Sequence, residues 1–264
     1  MTQQKELLAN KVAIITGAGK GIGKATAKLF AQAGAAVVLA SRTPADINAV
    51  AAEIKAEGGQ ALAIPTDVTR QNSIDQLVML TLRAFRHIDI LVNNAAIIHP
   101  VGKAWEVDPV AWQHLIQTNL IGPFLCARAV LPHMIDRGDG HIINVTSGAA
   151  YSDIVGLSAY CASKAALDRF TTILAQEVAD TNIVVCGMSP GATDTPMQTE
   201  IRNVSENALP SVEYFRQRYN EGSLTTPEDA ARLNLWLATR DDQNGVIAPI
   251  SDKSIREKLA KLPL

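Results

Sequence analysis

A tyrosine and a lysine stand four residues apart near the middle of the chain, and this pair has the chemistry of a general acid and base. Tyr160 and Lys164 lie in a stretch with helical spacing, so both side chains point to the same helix face. A free tyrosine has a pKa of about 10, and a neighbouring ammonium group favours the phenolate and lowers that pKa. Ser147 ends a predicted strand, and its hydroxyl can bond a substrate oxygen on which negative charge develops. These residues predict proton transfer to or from that oxygen.

The same residues also have simpler structural interpretations. A tyrosine and a lysine at this spacing are common on exposed helices, and Ser147 can be a cap at a strand end. A hydrolase with Ser147 and Lys164 as nucleophile and base is a further alternative. A hydrolase of this kind would not use the glycine-rich turn near the N-terminus.

That turn joins the first predicted strand to the first predicted helix. It contains Gly17, Gly19, Lys20, Gly21, Ile22 and Gly23. Glycines permit positive φ and close backbone approach, and the helix N-terminus offers free N–H groups to a pyrophosphate. A glycine-rich turn without a ligand is the alternative. A P-loop is excluded, because it needs a glycine at Ala18 and a serine or threonine at Ala25. The turn therefore predicts a dinucleotide site.

Short apolar runs alternate with amphipathic helical stretches along most of the chain. We predict strands at residues 12–16, 36–40, 61–65, 88–93, 140–147, 182–189 and 246–250. We predict helices at residues 22–33, 46–57, 73–85, 110–135 and 159–178, and a last one after Pro227. Continuously apolar strands indicate a sheet covered on both faces, and the alternation indicates parallel strands with right-handed crossovers.

We therefore predict an α/β fold, a doubly wound parallel sheet of Rossmann-like type with three αβα layers. One domain is expected to include residues 1–264. Residues 193–226 lack a strand signal and are too many for an ordinary loop. We predict that they form a helical flap over the active site.

The spacing Gly17-x-x-x-Gly21-x-Gly23, taken with the Tyr160/Lys164 pair, resembles the short-chain dehydrogenase/reductase family. The resemblance extends from about residue 11 to about residue 197. Further matches are Asp67-Val68, Asn93-Asn94-Ala95-Ala96, Asn119 and Pro190-Gly191-Ala192-Thr193-Asp194-Thr195. The resemblance implies an NAD(P)-dependent oxidoreductase that moves a hydride between the nicotinamide ring and a carbonyl or alcohol carbon.

The resemblance also implies a role for each matching position. Asp67 and Val68 are expected to hold the adenine, and Lys164 the nicotinamide ribose. Asn119 matches the asparagine that supports a water relay to the lysine. The remaining cofactor positions line the cleft or meet the nicotinamide carboxamide, and they are Asn94, Ala95, Ala96, Pro190, Gly191, Thr193 and Thr195.

The sequence departs from the family pattern at three places. Ala96 stands where the family usually has glycine, and Val184 and Cys186 stand where it often has arginine and asparagine. The usual Asp-Gly-Gly ending is absent, and residues 244–246 lead into a charged tail. Substrate inference from relatives is weakened by this last departure.

The end of the second strand predicts NADP(H) rather than NAD. An NAD enzyme needs an acidic residue there to accept from the ribose 2′-hydroxyl. This chain has Ser41 followed by Arg42, and Lys20 lies in the glycine turn. Arginine binds a 2′-phosphate with a bidentate fork, whereas a carboxylate repels it. The alternatives are a solvated Arg42 and an NAD-linked alcohol or sugar dehydrogenase of the same fold.

The composition is that of an ordinary globular protein. Its net charge is −2 with 47% hydrophobic residues, so we expect no nucleic acid and no membrane as a partner. The three cysteines are distant from one another, the five histidines lack ligand spacing, and residues 1–10 show no apolar signal segment. We therefore expect reduced cysteines, no metal and a cytoplasmic location.

The residues expected to surround the substrate are mostly apolar or aromatic. They are Ile97, Ile98, Trp105, Met197, Tyr214 and Phe215, and His99 is a further candidate. They favour a medium-sized apolar ketone, although core packing explains some of them equally well. Residues 193–202 weakly resemble sepiapterin- and benzil-reductase-like members. A non-catalytic redox sensor is the remaining alternative, and the intact Ser147, Tyr160 and Lys164 argue against it.

The helices at residues 110–135 and 159–178 carry more apolar residues than one buried face requires. Trp112, Leu115, Phe124 and Leu131 are examples. Family members commonly pair these two helices across a two-fold axis. We therefore predict a homotetramer, with a homodimer as the alternative.

Overall fold

A computed structural model describes residues 7–262, which contain a seven-stranded parallel sheet. The strands are β1 Val12–Thr16, β2 Ala36–Ser41, β3 Gln60–Pro65, β4 Ile90–Asn93, β5 Gly140–Val145, β6 Ile183–Ser189 and β7 Ile247–Pro249. Their order is β3-β2-β1-β4-β5-β6-β7, and every neighbouring pair is parallel. The predicted doubly wound α/β sheet is thereby confirmed. From β1 the sheet is extended to one side by β2 and β3 and to the other side by β4 to β7. Sheets of this type bind ligands at the point where the strand order reverses, here between β1 and β4.

Helices cover both faces of this sheet. They are α1 Gly21–Gln32, α2 Pro44–Ala56, α3 Gln71–Phe85, α4 Pro109–Ile116, α5 Gly122–Arg137, α6 Ser158–Glu177, α7 Pro196–Arg202, α8 Val212–Asn220, α9 Pro227–Leu237 and α10 Lys253–Leu259. Helices α1, α2, α9 and α10 pack on one face, and α3, α5 and α6 pack on the other. The three predicted layers follow from this arrangement.

Alternate residues of each strand enter two separate cores. Ala13 and Ile15 of β1 lie in the core under α1 and α9, whereas Val12 and Ile14 lie in the core under α3 and α5. All five residues of β1 are buried. A strand buried on both faces reads as an unbroken apolar run, which is why the strands were predictable.

The helix predicted at residues 110–135 is interrupted. Helices α4 and α5 are separated by a π-helical segment, Gln117–Ile121, which contains Asn119. Pro123 follows this segment and has no backbone N–H, so it cannot donate the usual i→i−4 hydrogen bond to the carbonyl of Asn119. The prediction of one uninterrupted helix is therefore wrong. Single π turns of this kind occur often at functional sites.

The C-terminal region also differs from its prediction as a charged tail. Helix α10 begins after Asp252, whose carboxylate accepts from the backbone N–H groups of Ser254 at 2.7 Å and Ile255 at 3.2 Å. Ile255 and Leu259 of this helix are buried. Ile255 and Leu259 are four residues apart, which is the spacing of one helix face. The many charged residues around them hid this sign of a helix.

Residues 1–6 and 263–264 lie outside the described range. The prediction that residues 1–10 lack a signal segment therefore falls mostly on residues that are not described. Across residues 7–262, no helix is both long and apolar enough to span a membrane.

Candidate active site

A cavity of about 580 Å³ opens at the carboxyl ends of the strands. The segments that follow β1, β2, β3, β4, β5 and β6 all contribute to its wall, together with residues of α6, α7 and α8. Most of the predicted site residues line it: Gly17, Gly19, Lys20, Gly21, Ile22, Ser41, Arg42, Asp67, Val68, Asn94, Ala95, Ala96, Ser147, Tyr160, Lys164, Pro190, Gly191, Thr193 and Thr195. Gly23 and Asn119 are the two predicted site residues that do not line it.

The glycine turn fits a pyrophosphate. Gly17 and Gly21 have φ values of +65° and +53°, which favour glycine, and a Cβ on Gly17 would come within 2.9 Å of the Cα of Ala95. Helix α1 has no side-chain cap and no acidic residue in its first turn. Its first N–H groups and its positive dipole end are thus available to an anion.

Gly23 acts on the turn from behind the cavity wall. A Cβ there would lie 2.3 Å from the carbonyl oxygen of Gly17 and 2.5 Å from Nδ2 of Asn94. Asn94 Nδ2 donates to the carbonyl oxygens of Thr16 at 2.9 Å and Gly17 at 3.3 Å. Gly23 therefore permits the close packing that fixes the turn, and the expectation that it also binds the cofactor stays a prediction.

At one end of the cavity, two carboxylates accompany the predicted cations. Arg42, Lys20 and Asp67 line this end as expected, and so does Asp46, which sequence reasoning missed. Partial burial acts to raise the pKa of Asp67, but hydrogen bonds from Thr69 and the nearby Arg42 charge outweigh it, so the pKa is lowered. Asp46 lies in the first turn of α2, and the Cβ of a residue replacing Gly19 would come within 2.8 Å of its Cβ. Asp46 stands four residues after Arg42 in the stretch that follows β2, and this proximity in sequence was the signal that could have identified it.

Tyr160, Ser147 and Lys164 meet at the opposite part of the same cavity. Ser147 lies two residues after β5, which ends at Val145 and not at residue 147 as predicted. It caps a short 3₁₀ turn by accepting from the N–H of Ala149 at 3.1 Å, so Ser147 also has a structural role. The Lys164 Nζ donates to the carbonyl oxygen of Val145 at 2.7 Å and lies 5.7 Å from the centroid of the Tyr160 ring.

Burial changes the pKa values of both titratable groups. It raises the pKa of Tyr160 to about 12, and a hydrogen bond with Ser147 offsets only part of that effect. Burial lowers the pKa of Lys164 to about 8, which the Asp168 carboxylate opposes. In the protein chain itself, removal of the phenol from water dominates, and the lowering of the Tyr160 pKa by the lysine stays a prediction.

Asn119 organises the wall of the cavity from outside it. Its Oδ1 accepts from the N–H of Ile97 and its Nδ2 donates to the carbonyl oxygen of Ile97, both at 2.9 Å. Nδ2 also lies 3.4 Å from Oγ of Ser163, whose hydroxyl donates to the carbonyl oxygen of Tyr160 at 2.8 Å. Asn119 thus links the segment after β4 to the helix that carries Tyr160.

The apolar candidates divide into those that reach the cavity and those that do not. Ile97, Ile98, Met197, Tyr214 and Phe215 line it. Trp105 does not, since 81% of it is exposed. His99 does not line it either, and its Nε2 lies 3.8 Å from a carboxylate oxygen of Glu200. The expectation that Trp105 and His99 contact the substrate is thus not supported.

Two further features bear on the predicted chemistry. Cys126 and Cys186 are buried and free, whereas Cys161 is partly exposed. Among residues 7–262, no cluster of three or more histidine, cysteine, aspartate or glutamate side chains has the arrangement of a metal site. Val184 and Cys186, which depart from the expected pattern, are buried in β6.

Sequence comparison now adds to this geometry. The short chain dehydrogenase family model matches residues 11–206, which include the glycine turn, Asn119, Ser147, Tyr160 and Lys164. The chain is a short-chain dehydrogenase/reductase. This family of oxidoreductases binds a nicotinamide cofactor, and its members act on carbonyl and alcohol substrates.

Relatives of this short-chain dehydrogenase/reductase match nearly its whole length. It is 39% identical over 236 residues to a 3-oxoacyl-[acyl-carrier-protein] reductase of Synechocystis sp., covering 88% of this chain and 90% of that protein. A 3-ketoacyl-(acyl-carrier-protein) reductase of Brucella melitensis, solved with NADH, is 34% identical with a TM-score of 0.81, covering 92% and 97%. An NAD(P)-dependent gluconate 5-dehydrogenase candidate of Beutenbergia cavernae, solved with NADP at low occupancy, is 31% identical with a TM-score of 0.83, covering 94% and 97%.

Proposed function

We propose that this short-chain dehydrogenase/reductase reduces a ketone with NADPH, or catalyses the reverse oxidation, with Tyr160 as the acid or base. One observation carries the proposal: Tyr160, Ser147 and Lys164 line the same cavity as a glycine turn that fits a pyrophosphate. A redox sensor without catalysis does not need the three side chains together.

A single domain of residues 1–264, with residues 193–226 as a flap, and a cytoplasmic location stay predictions.

The residues divide the reaction among themselves. The dinucleotide, held at the glycine turn, supplies or accepts the hydride when it is bound. Ser147 Oγ donates to the substrate oxygen and stabilises negative charge there. Tyr160 donates its phenolic proton to that oxygen, and Lys164 binds the nicotinamide ribose and holds positive charge beside the phenol.

The pKa values favour the reducing direction near neutral pH. A phenol with a pKa of about 12 is protonated there and is ready to act as the acid. Lys164, with a pKa of about 8, is an ammonium group at pH 7 and loses its proton above pH 8. We therefore expect reductase activity to fall as the pH rises through about 8.

A turnover screen tests the function. Medium-sized apolar ketones are offered with NADPH or NADH, and consumption of the cofactor is followed by its absorbance. Tyr160→Phe keeps the ring but has no proton to donate, so turnover is expected to fall by about a hundredfold or more while NADPH binding changes only a few-fold. Activity in Tyr160→Phe above about a tenth of wild type would contradict the role of Tyr160.

We prefer NADP(H) because Arg42 and Lys20 line the adenosine end of the cavity. NAD is the second candidate, because the carboxylate of Asp46 lines that same end and can accept from a ribose hydroxyl. The relatives solved with NADH and with NADP are consistent with either choice.

We also propose that the protein assembles as a homotetramer, with a homodimer as the alternative. Phe124 and Ile135 of α5 and Ile173 of α6 are exposed by 43%, 48% and 37%. Phe124 packs edge-on against Phe170 with ring centroids 6.0 Å apart, so the two helices present one apolar surface. Light scattering coupled to gel filtration decides, since a mass near 28.2 kDa at micromolar concentration contradicts assembly.

A further inference from the structure

One buried carboxylate near Tyr160 has no place in the proposed reaction. Asp168 lies on α6 and is only 5% exposed. Both of its oxygens are buried without a hydrogen-bond partner of good geometry within residues 7–262. The hydroxyls of Thr146 and Tyr151 offset only part of the loss of water, because the pKa of Asp168 is still raised, and a buried carboxylate in this condition is costly for the folded protein. A residue with such a cost calls for a functional explanation.

Its position along the helix supplies that explanation. Tyr160, Lys164 and Asp168 follow one another at four-residue intervals, so they form a row on one face of α6. Lys164 is buried as well, and its Nζ has the carbonyl oxygen of Val145 as its hydrogen-bond acceptor, at 2.7 Å. A carbonyl group does not neutralise an ammonium charge, whereas the next carboxylate in the row, though beyond salt-bridge distance, opposes the loss of that charge through space.

We propose that Asp168 is a positioning residue that keeps the Lys164 side chain in its ammonium form and so sets the pH range in which Tyr160 acts. The proposal rests on the proposed function of Tyr160 and Lys164. Asp168 does not itself line the cavity, so we expect it to act on the reaction through Lys164, which does.

The charged and titratable groups around this row are few. Asp168 has Lys164 on its own helix, and the hydroxyls of Thr146 and Tyr151 face it from the segment after β5. Burial raises the pKa of Asp168, and these three groups act in the opposite direction. Asp168 is also the one carboxylate whose charge raises the pKa of Lys164. Within the described residues, no other acid balances the lysine.

Two carboxyl variants and one matched control test the proposal. Asp168→Asn removes the charge at nearly constant shape, Asp168→Glu retains it, and Glu177→Gln removes a charge from an exposed position of the same helix. The first measurement is the titration of Lys164 in protein with ¹³C-labelled lysine, assigned by the signal that Lys164→Met loses. It needs no turnover, so it stays informative if the proposed function fails.

The wild-type signal is expected to titrate near pH 8. In Asp168→Asn the midpoint should fall by about one pH unit, because the neighbouring opposite charge is gone. It should return close to the wild-type value in Asp168→Glu and stay unchanged in Glu177→Gln. An unchanged midpoint in Asp168→Asn, or an equal shift in Glu177→Gln, would overturn the proposal.

The second measurement is the pH profile of kcat/KM. In Asp168→Asn the alkaline limb should move down by about one unit, so activity at high pH falls about tenfold while activity at pH 6 stays within about twofold. A uniform loss at every pH would indicate a structural role instead and would overturn the proposal. If wild-type protein shows no turnover at all, the proposed function fails, and only the titration decides the charge relation.

Thermal unfolding provides a third readout with a defined sign. Because burial raises the pKa of Asp168 above its ordinary value, the ionised carboxyl destabilises the folded state as the pH rises past that ordinary value. Asp168→Asn lacks this cost, so at pH 8 it should unfold at the wild-type temperature or higher, and below pH 4 the difference should vanish. A clearly lower unfolding temperature at pH 8 would identify Asp168 as a structural residue and contradict the proposal.

Discussion

The two ends of the cavity are built in different ways. At the dinucleotide end, main-chain atoms pack directly against one another. A Cβ added to Gly17 or to Gly23 would clash with main-chain atoms of the segment after β4 or of the glycine turn. At the other end, α7 and α8 present side chains from a small separate cluster. Its buried members are Ile98, Leu157, Ile201, Leu209, Val212 and Phe215.

This difference explains why one end is predictable and the other is variable. Backbone packing between central strands leaves almost no choice of residue at the glycines, so their spacing is a strong signal in the sequence. A satellite cluster of side chains can be rebuilt without disturbing the sheet, because it is separate from the two cores that cover the sheet. Cofactor class is therefore readable from the chain, whereas substrate identity depends on a surface with few fixed rules.

The largest effect is expected from Gly23→Ala. The new Cβ would lie 2.3 Å from the carbonyl oxygen of Gly17, a backbone atom that cannot yield without moving the turn. We expect NADPH binding to weaken by about a hundredfold or more, since such overpacking costs roughly 3 kcal/mol. Cofactor fluorescence titration measures it.

Gly58→Ala is the matched control for that variant. Gly58 has a φ of +83°, and a Cβ there meets nothing within 4 Å. The substitution should cost about 1 kcal/mol of stability through the backbone conformation, with NADPH affinity unchanged. Equal NADPH affinity in Gly23→Ala and wild type would contradict the claim that backbone packing defines this end.

A smaller effect is expected from exchange of the charges at the adenosine end. Arg42→Asp should reduce kcat/KM with NADPH by about tenfold or more and improve use of NADH, because a charge-assisted hydrogen bond becomes a repulsion. Asp46→Asn should act in the opposite direction and favour NADPH, with Lys55→Ser as a charge control on the same helix as Asp46. Wild-type preference for NADH would contradict the proposal that Arg42 selects NADPH.

Most of the elements could be predicted, because apolar runs buried on both sheet faces leave an unbroken signal. The π-helical segment at Asn119 was not predicted, although Pro123 carries the local reason for it. Trp105 was expected to contact the substrate, but its side chain faces solvent. The sequence shows that an aromatic residue is near a site, but it does not show whether that residue points into the site or away from it. Asp46 and Asp168 were missed because their meaning depends on neighbours that the fold brings together.

The smallest expected effect concerns the substrate end. Phe215 lines the cavity from α8 and packs edge-on against Tyr214, with ring centroids 5.4 Å apart. Phe215→Leu keeps an apolar side chain of smaller area, so the KM for an apolar ketone should rise about three- to fivefold while NADPH affinity stays the same, since a few tens of Å² of lost apolar contact cost about 1 kcal/mol. Gln217→Ala, at an exposed position of the same helix, is the control and should change neither quantity. Substrate KM and NADPH affinity are measured on the same preparation of each variant. If Phe215→Leu weakened NADPH binding as much as ketone binding, the two ends would not be independent, and the contrast between backbone-defined and side-chain-defined recognition would fail.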